Sequence, residues 1–118
     1  MSHQVTPDKI WDTAQKQHRP EAPFLAYARD GAAKIAHVVV VEAGAEPDVL
    51  RCTGFGRALA SDLETNPQLT LLWPAATNDA FSLLADGSGQ IIDGVLLFSA
   101  ESAVLHRPAP VDGADGCR

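Results

Sequence analysis

Basic residues are scarce in this chain, and they are not grouped anywhere along it. Of 118 residues, 9 are lysine or arginine and 15 are aspartate or glutamate, which gives a net charge of −6. A nucleic-acid-binding surface needs clustered lysine and arginine to neutralise phosphates, so the charge balance argues against a nucleic-acid partner. A small anionic ligand held by one or two local cations remains compatible with a negatively charged protein.

Long apolar runs are also missing. The longest, Ile35–Val41, is far shorter than the roughly 20 residues that a membrane-spanning helix requires. The polar, acidic N-terminus does not have the charged-then-apolar pattern of a signal peptide. We therefore expect a cytoplasmic protein without a membrane partner.

Neither cysteine nor histidine occurs in a pattern that binds metal. Cys52 and Cys117 form no metal-binding spacing and no disulfide framework, and the strand pattern around Cys52 predicts a buried side chain. The histidines are scattered, which predicts no metal site: they are His3, His18, His37 and His106. Serine and aspartate are too numerous to select a Ser–His–Asp triad, so catalytic residues stay unassigned.

The chain does contain one early helix pattern. Thr6 and Pro7 are typical of an N-cap and a first helical position, and they predict a helix over about 7–18. An apolar stripe from Ile10 to Ala14 is spaced to face a sheet.

Strand patterns make up most of the remainder. They are expected over 22–28, 34–42, 48–53 and 68–75, with two or three more between 80 and 100, broken at 85–90 and at 92–94. Asp30–Gly31 predicts a hairpin turn, and a short helix over about 56–66 is expected to stop at Asn66–Pro67. Strands joined by tight turns predict an antiparallel sheet that is closed or nearly closed into a small barrel. The domain is expected over 1–110, with a disordered tail over 111–118.

The segment "TGFGR", from Thr53 to Arg57, raises the question of a phosphate site. It is no dinucleotide fingerprint, because Leu59 stands where a third glycine is needed. A cation in the first helical turn opposes the helix dipole, so Arg57 indicates a nearby anion. The alternative is that the glycines only make the turn and that Arg57 is solvated.

Three further residues could contribute to a ligand site. His37 lies among apolar residues, and it is either a structural residue or a ligand contact. Lys34 precedes His37 by three positions and should point to the opposite face of the strand. Trp73 is expected in the core or in a pocket wall. His106–Arg107 is compatible with a salt bridge, a dimer contact or a cofactor contact.

Residues 22–87 resemble the pyridoxamine 5′-phosphate oxidase-like, FMN-binding split-barrel family. The resemblance is carried by the "RDG" hairpin at Arg29–Gly31, by the turn and helix "TGFGRALASDLETNP" and by the strand "QLTLLW" that follows. It implies a mainly β protein built on a six-stranded antiparallel split barrel, with an N-terminal helix and a short inserted helix. It also implies a homodimer that holds a flavin or a deazaflavin in a cleft at the subunit interface.

The resemblance further implies how the cofactor phosphate is held. Family members use basic residues on the second strand and a Ser-Arg-Lys sequence where the inserted helix starts. Without gaps, Arg57 falls on the serine, and Ala58 and Leu59 fall on the basic pair. The implied cofactor-binding residues are Lys34, His37, Thr53, Gly56, Arg57 and Trp73, and the implied cofactor is flavin mononucleotide (FMN) or a deazaflavin.

Two functions follow as hypotheses. The first is an oxidoreductase that uses the flavin or deazaflavin on a small molecule. The second is a cofactor-free dimeric split barrel that serves as a small-ligand binding module, which the Ala58–Leu59 replacement favours.

Overall fold

The computed structural model describes residues 2–17, 23–38, 40–75 and 80–107. The helices are α1 (Ile10–Gln17), which follows a 3-10 turn at Pro7–Lys9, and α2 (Ala58–Thr65). The strands are β1 (Ser2–Val5), β2 (Phe24–Arg29), β3 (Ala32–His37), β4 (Val40–Ala43), β5 (Val49–Thr53), β6 (Gln68–Trp73), β7 (Ser82–Ile92) and β8 (Val95–His106). The expected tail over 111–118 lies outside the described residues.

All eight strands belong to one antiparallel sheet, which confirms the mainly β prediction. The strand order is β3-β2-β6-β7-β8-β5-β4, and β1 also pairs with β8. The long β8 has two neighbours on one side, because 96–99 pair with β5 and 103–106 pair with β1. The ladder is not closed by strand pairing in the described residues, but its end strands, β3 and β4, are consecutive in the chain.

The sheet has eight strands where six were expected, for two reasons. The expected strand over 34–42 is divided at residues 38 and 39, and its two halves pair with different strands, β2 and β5. A run of valines contains no turn residue, so the sequence does not signal this division. The second reason is Ser2–Val5, which was not predicted as a strand and which gains its order from pairing with β8.

The break expected at 85–90 is wrong, because β7 continues through it with a bulge between Asp86 and Gly87. The bulge requires glycine. A Cβ on Gly87 would lie 2.1 Å from the carbonyl oxygen of Ser99. Both two-residue hairpin turns have positive φ at each position: Asp30–Gly31 (51° and 81°), as predicted, and Asp93–Gly94 (52° and 78°).

The helices differ from expectation mainly at their starts. Thr6 is the N-cap of the 3-10 turn that leads into α1, with Pro7 as the first residue of that turn, as predicted, although the Thr6 side chain makes no capping hydrogen bond. Helix α2 begins at Ala58, two residues later than expected, and Asn66 leaves it in an extended conformation, as the Asn66–Pro67 stop predicted. Leu59 and Leu63 are its buried residues.

The core lies between one face of the sheet and the two helices. Its buried apolar residues come from every element except β1 and β3: they include Ile10, Ala14, Leu25, Val41, Leu50, Leu59, Leu63, Leu71, Trp73, Leu83, Leu96 and Phe98. The sheet face that carries these side chains is called the inner face below, and the opposite face is called the outer face. Neither helix in the described part of the chain has the length and apolar character needed to cross a membrane.

Candidate functional site

The two candidate residues of β3 lie on opposite faces of the strand, as predicted. Lys34 is in register with Tyr27, and His37 is in register with Phe24. Residues in register on neighbouring strands share a face. His37 is exposed on the outer face, where its ring centroid lies 4.8 Å from that of Phe24.

Lys34 lies on the inner face, in the half of β3 that is nearer to the hairpin turn at Asp30–Gly31. Its neighbour Tyr27 accepts a long hydrogen bond of 3.4 Å from Nη2 of Arg29. Nε of Arg29 donates to Oδ2 of Asp62, on α2, at 3.0 Å. The hydrogen bond to Asp62, followed by its charge, raises the pKa of Arg29. This link between β2 and α2 was not predicted, since no spacing connects residues 33 positions apart.

Thr53 ends β5, immediately after a fully buried residue. Cys52 has 0% of its surface exposed, so the half-buried Thr53 faces the other way and lies on the outer face. Thr53 is in register with Val40. Burial raises the pKa of Cys52 to about 12, which confirms that this thiol is a core residue without reactive character.

The glycine turn leads from β5 into α2. Gly54 has a φ of +87°, which only glycine adopts readily, whereas a Cβ on Gly56 would meet nothing within 4 Å. Arg57 is exposed, has helical dihedral angles and occupies the N-cap position of α2. The sequence interpretation placed it inside the first turn, which is one residue too far along. Its side chain makes no capping hydrogen bond.

The two residues that follow Arg57 have contrasting surroundings. Ala58 is exposed, whereas Leu59 is 2% exposed and belongs to the core. A side chain at position 59 therefore points away from any ligand at the start of α2. The exposed positions at the turn are Gly54, Gly56, Arg57 and Ala58, and of these only Arg57 is charged.

Trp73 was expected either in the core or in a pocket wall, and the structure places it in the core. Its exposed fraction is 0%, and it is in register with Leu83 on the inner face.

Two of the candidate residues lie at the end of β3 and beside the start of β4, two strands that follow each other in the chain. His37 ends β3, and Thr53 pairs with Val40 at the start of β4. Arg57 follows Thr53 by four residues. Lys34 is not part of this group, because it lies on the other face, about 10 Å back along β3.

The outer face beside His37 carries an apolar row that sequence analysis missed. The row starts beside His37 and runs from strand to strand through residues in register with it. Its members are Phe24 on β2, Leu72 on β6, Leu84 on β7 and Val104 on β8, and it ends at Gln4 on β1. The four apolar side chains are only half-buried. Ile35, two residues before His37 on the same face, is 72% exposed. The available signal was a pair of successive apolar residues in each of three strands, which puts one on each face: Phe24–Leu25, Leu71–Leu72 and Leu83–Leu84.

His106 and Arg107 make contacts within the chain. Nδ1 of His106 lies 3.1 Å from Oγ of Ser2. The guanidinium of Arg107 lies 5.0 Å from the ring centroid of Phe81. The ring centroids of His3 and Phe81 are 5.5 Å apart. These contacts join the ends of β1, β7 and β8.

Within the described ranges, no group of histidine, cysteine and acidic residues could hold a metal ion.

Comparison with known proteins found neither a family model nor a curated protein that matches this chain.

Proposed function

We propose that this protein is a homodimeric split-barrel protein that binds FMN or a deazaflavin by its phosphate and acts as an oxidoreductase on a small molecule. The observation that carries the proposal is the unit β5–α2–β6, in which a glycine turn presents Arg57 to solvent where the helix begins. This is the segment on which the family resemblance depends. The antiparallel sheet supports a split barrel, since its two end strands, β3 and β4, follow each other in the chain.

The residues at the turn fit a phosphate held by one arginine and main-chain donors. Arg57 offers a planar guanidinium that can bind two phosphate oxygens. The first turn of a helix also carries N–H groups without partners within the helix. Thr53 ends the strand that leads into this turn, and His37 ends β3 on the same outer face. When bound, the flavin or deazaflavin would supply the redox chemistry, while these residues bind and orient it.

The apolar row on the outer face supports the homodimer. Half-exposed Phe24, Leu72, Leu84 and Val104 form a continuous strip with the exposed Ile35 beside it, and strips of this kind mark association surfaces. Because His37 ends the row, a partner on this face would bring the subunit interface to the end of β3.

The proposal is tested by an absorbance spectrum of the purified protein before and after incubation with FMN and with a deazaflavin. A bound chromophore that remains after gel filtration is the expected result. Protein that stays colourless and retains neither compound would contradict cofactor binding.

A second function is favoured by one specific observation. The buried Leu59 and the uncharged Ala58 leave the start of α2 with less positive charge than family members have there. A cofactor-free dimer that binds another small anion would show this pattern. The two functions differ in outcome: the second predicts a dimer that retains no flavin.

A further inference from the structure

Strand β7 has a free edge along its second half. On one side, β7 pairs with β8 over its whole length. On the other side, its pairing with β6 ends at Ser88, and the last main-chain hydrogen bond there is donated by the N–H of Gly89 to the carbonyl of Pro67, at 2.9 Å. Beyond that point no strand in the described part of the chain pairs with this edge.

The main-chain groups of Ile91 point outward from this edge. The turn at Asp93–Gly94 has two residues, so Ile92 and Val95 form a hydrogen-bonded pair. Alternation then directs the N–H and C=O of Gln90 toward β8 and those of Gly89 and Ile91 away from it. The bond from Gly89 to Pro67 agrees with this direction.

A groove runs along the free edge, between β7 and α2. Its volume is about 740 Å³, and it is lined by Ala60, Leu63, Glu64, Pro67 and 88–91. The floor therefore offers a strand edge, and the wall offers the half-buried Ala60, the exposed Pro67 and the exposed carboxylate of Glu64. Leu63 closes the groove from below and is 5% exposed. Ile92, at the end of the edge, is 46% exposed. No lysine or proline blocks pairing between Gly89 and Ile92, although such residues commonly protect free edges.

We propose that this groove binds an extended peptide segment of another protein, which adds to the edge of β7 as an extra strand. Peptides bind in this way where a strand edge lies beside a groove, and the main-chain bonds provide affinity while alternate side chains provide specificity. Alternate side chains of the added strand would face this wall, where the apolar stem of a lysine can cover Ala60 while its ammonium group pairs with Glu64. The other set would lie on the outer face, beside the exposed side chain of Ile92. The peptide is therefore one in which basic and apolar residues alternate.

Charge favours such a partner over a second copy of this chain. Each copy carries a net charge of −6, and edge-to-edge pairing of two copies would bring two Glu64 carboxylates and two acidic chains together. Like charges across an interface oppose association, whereas a basic peptide is attracted. This inference does not depend on the proposed cofactor, whose site lies at the start of α2.

The test uses a fluorescent heptapeptide in which lysine and valine alternate, titrated into the full-length protein. We expect saturable binding, weakened about fivefold or more when glutamate replaces lysine in the probe. A probe in which lysine and proline alternate should bind about fivefold or more weakly, because every second residue lacks a main-chain N–H and proline disfavours strand pairing. Equal binding of the three probes, or no binding of the lysine–valine probe, would overturn the proposal.

Amide hydrogen exchange locates the bound probe. The lysine–valine probe should slow exchange at Ile91 about tenfold or more and leave Gln90, already bonded to β8, unchanged. Protection of Ile91 that grows with protein concentration in the absence of probe would show pairing of two copies, and it would overturn the proposal.

Two charge-matched variants test the role of the groove wall. Glu64→Lys should weaken binding of the lysine–valine probe about fivefold or more. Glu101→Lys makes the same change in net charge at an exposed position of β8. It should change the affinity for the lysine–valine probe by less than about twofold. Equal effects of the two variants would show that binding depends only on net charge, and they would contradict binding of the peptide in the groove.

Discussion

At the scale of single residues, Gly87 shows how closely two strands of this sheet approach each other. A Cβ at this position would lie 2.1 Å from the carbonyl oxygen of Ser99 and 3.0 Å from the ring of Phe98. The contact with Ser99 is to main chain, so β7 and β8 would have to separate to relieve it. The glycine is thus required by the bulge and by the packing of Phe98.

We predict that Gly87→Ala lowers the free energy of unfolding by about 1–3 kcal/mol, since overpacking a rigid site has costs of this size. Gly56→Ala is the matched control, because nothing lies within 4 Å of its added methyl group, and it should change the value by less than about 0.5 kcal/mol. Urea denaturation of both variants measures the difference. Equal stability of the two variants would contradict the close approach of β7 and β8.

Cys52 provides a pH-dependent prediction. Burial raises the pKa of its thiol from 9.0 to about 12, so between these values the folded chain keeps a proton that the unfolded chain has released. The resulting stabilisation is complete below pH 9 and is lost as the pH rises above it. Relative to Cys52→Val, the wild-type protein should lose up to about 1.4 kcal/mol of unfolding free energy per pH unit in this window. Urea denaturation at several pH values measures it, and a difference that is independent of pH would disprove it.

At the scale of elements, α2 separates its buried residues from the exposed residues at its start. Leu59 and Leu63 anchor the helix in the core, and Arg29 holds its middle through Asp62. Arg57 and Ala58 remain exposed at its start. Ala58 and Leu59, which the resemblance aligns with a basic pair, therefore differ in their surroundings: Ala58 is exposed and Leu59 is buried.

We expect opposite outcomes from adding a cation at each position. Ala58→Arg should leave stability within about 0.5 kcal/mol of the wild type and strengthen flavin binding about tenfold, as an added charge-assisted hydrogen bond would. Leu59→Lys should lower the free energy of unfolding by about 3 kcal/mol or more, because it removes a core leucine and buries an ammonium group. Flavin titration and urea denaturation measure the two effects. A stable Leu59→Lys protein would place residue 59 on the surface and contradict the packing.

The elements also show which parts of the fold the sequence could predict. Local signals were sufficient for Asp30–Gly31, for the end of α2 at Asn66 and for the buried leucines of α2, because each is decided by neighbouring residues. The division of β3 from β4 was not predictable, since it is visible only in their different pairing partners. The continuous β7 was misread because its glycines, which resemble a turn, serve close packing instead.

The candidate site was predictable to a smaller extent. The exposed Arg57 followed from its place in the turn, and the opposite faces of Lys34 and His37 followed from strand alternation. The link between Arg29 and Asp62 and the row on the outer face depend on tertiary pairing, which the sequence does not encode locally. The inward direction of Leu59 was predictable from its spacing to Leu63.

At the scale of the whole molecule, self-association is the property that the outer face predicts. We expect sedimentation velocity to show a dimer. Leu84→Arg places a charge in the middle of the apolar row and should convert the dimer to a folded monomer, because a buried unpaired charge opposes association. Gln15→Arg, at an exposed position of α1, adds the same charge elsewhere and should leave the dimer intact. A monomeric wild type, or a dimeric Leu84→Arg protein with unchanged affinity, would rule out this interface.

The central claim is that Arg57 holds the phosphate of a flavin or deazaflavin, and a titration of FMN and of a deazaflavin into three proteins tests it most directly. Wild type should bind at least one of them saturably. Arg57→Ala should weaken that binding about tenfold to a hundredfold, since a hydrogen bond to a charged group is lost, with little change in stability because the side chain is exposed. Lys16→Ala, which removes one exposed cation from α1, should bind like wild type. No binding by the wild type, or equal binding by Arg57→Ala, would contradict the account.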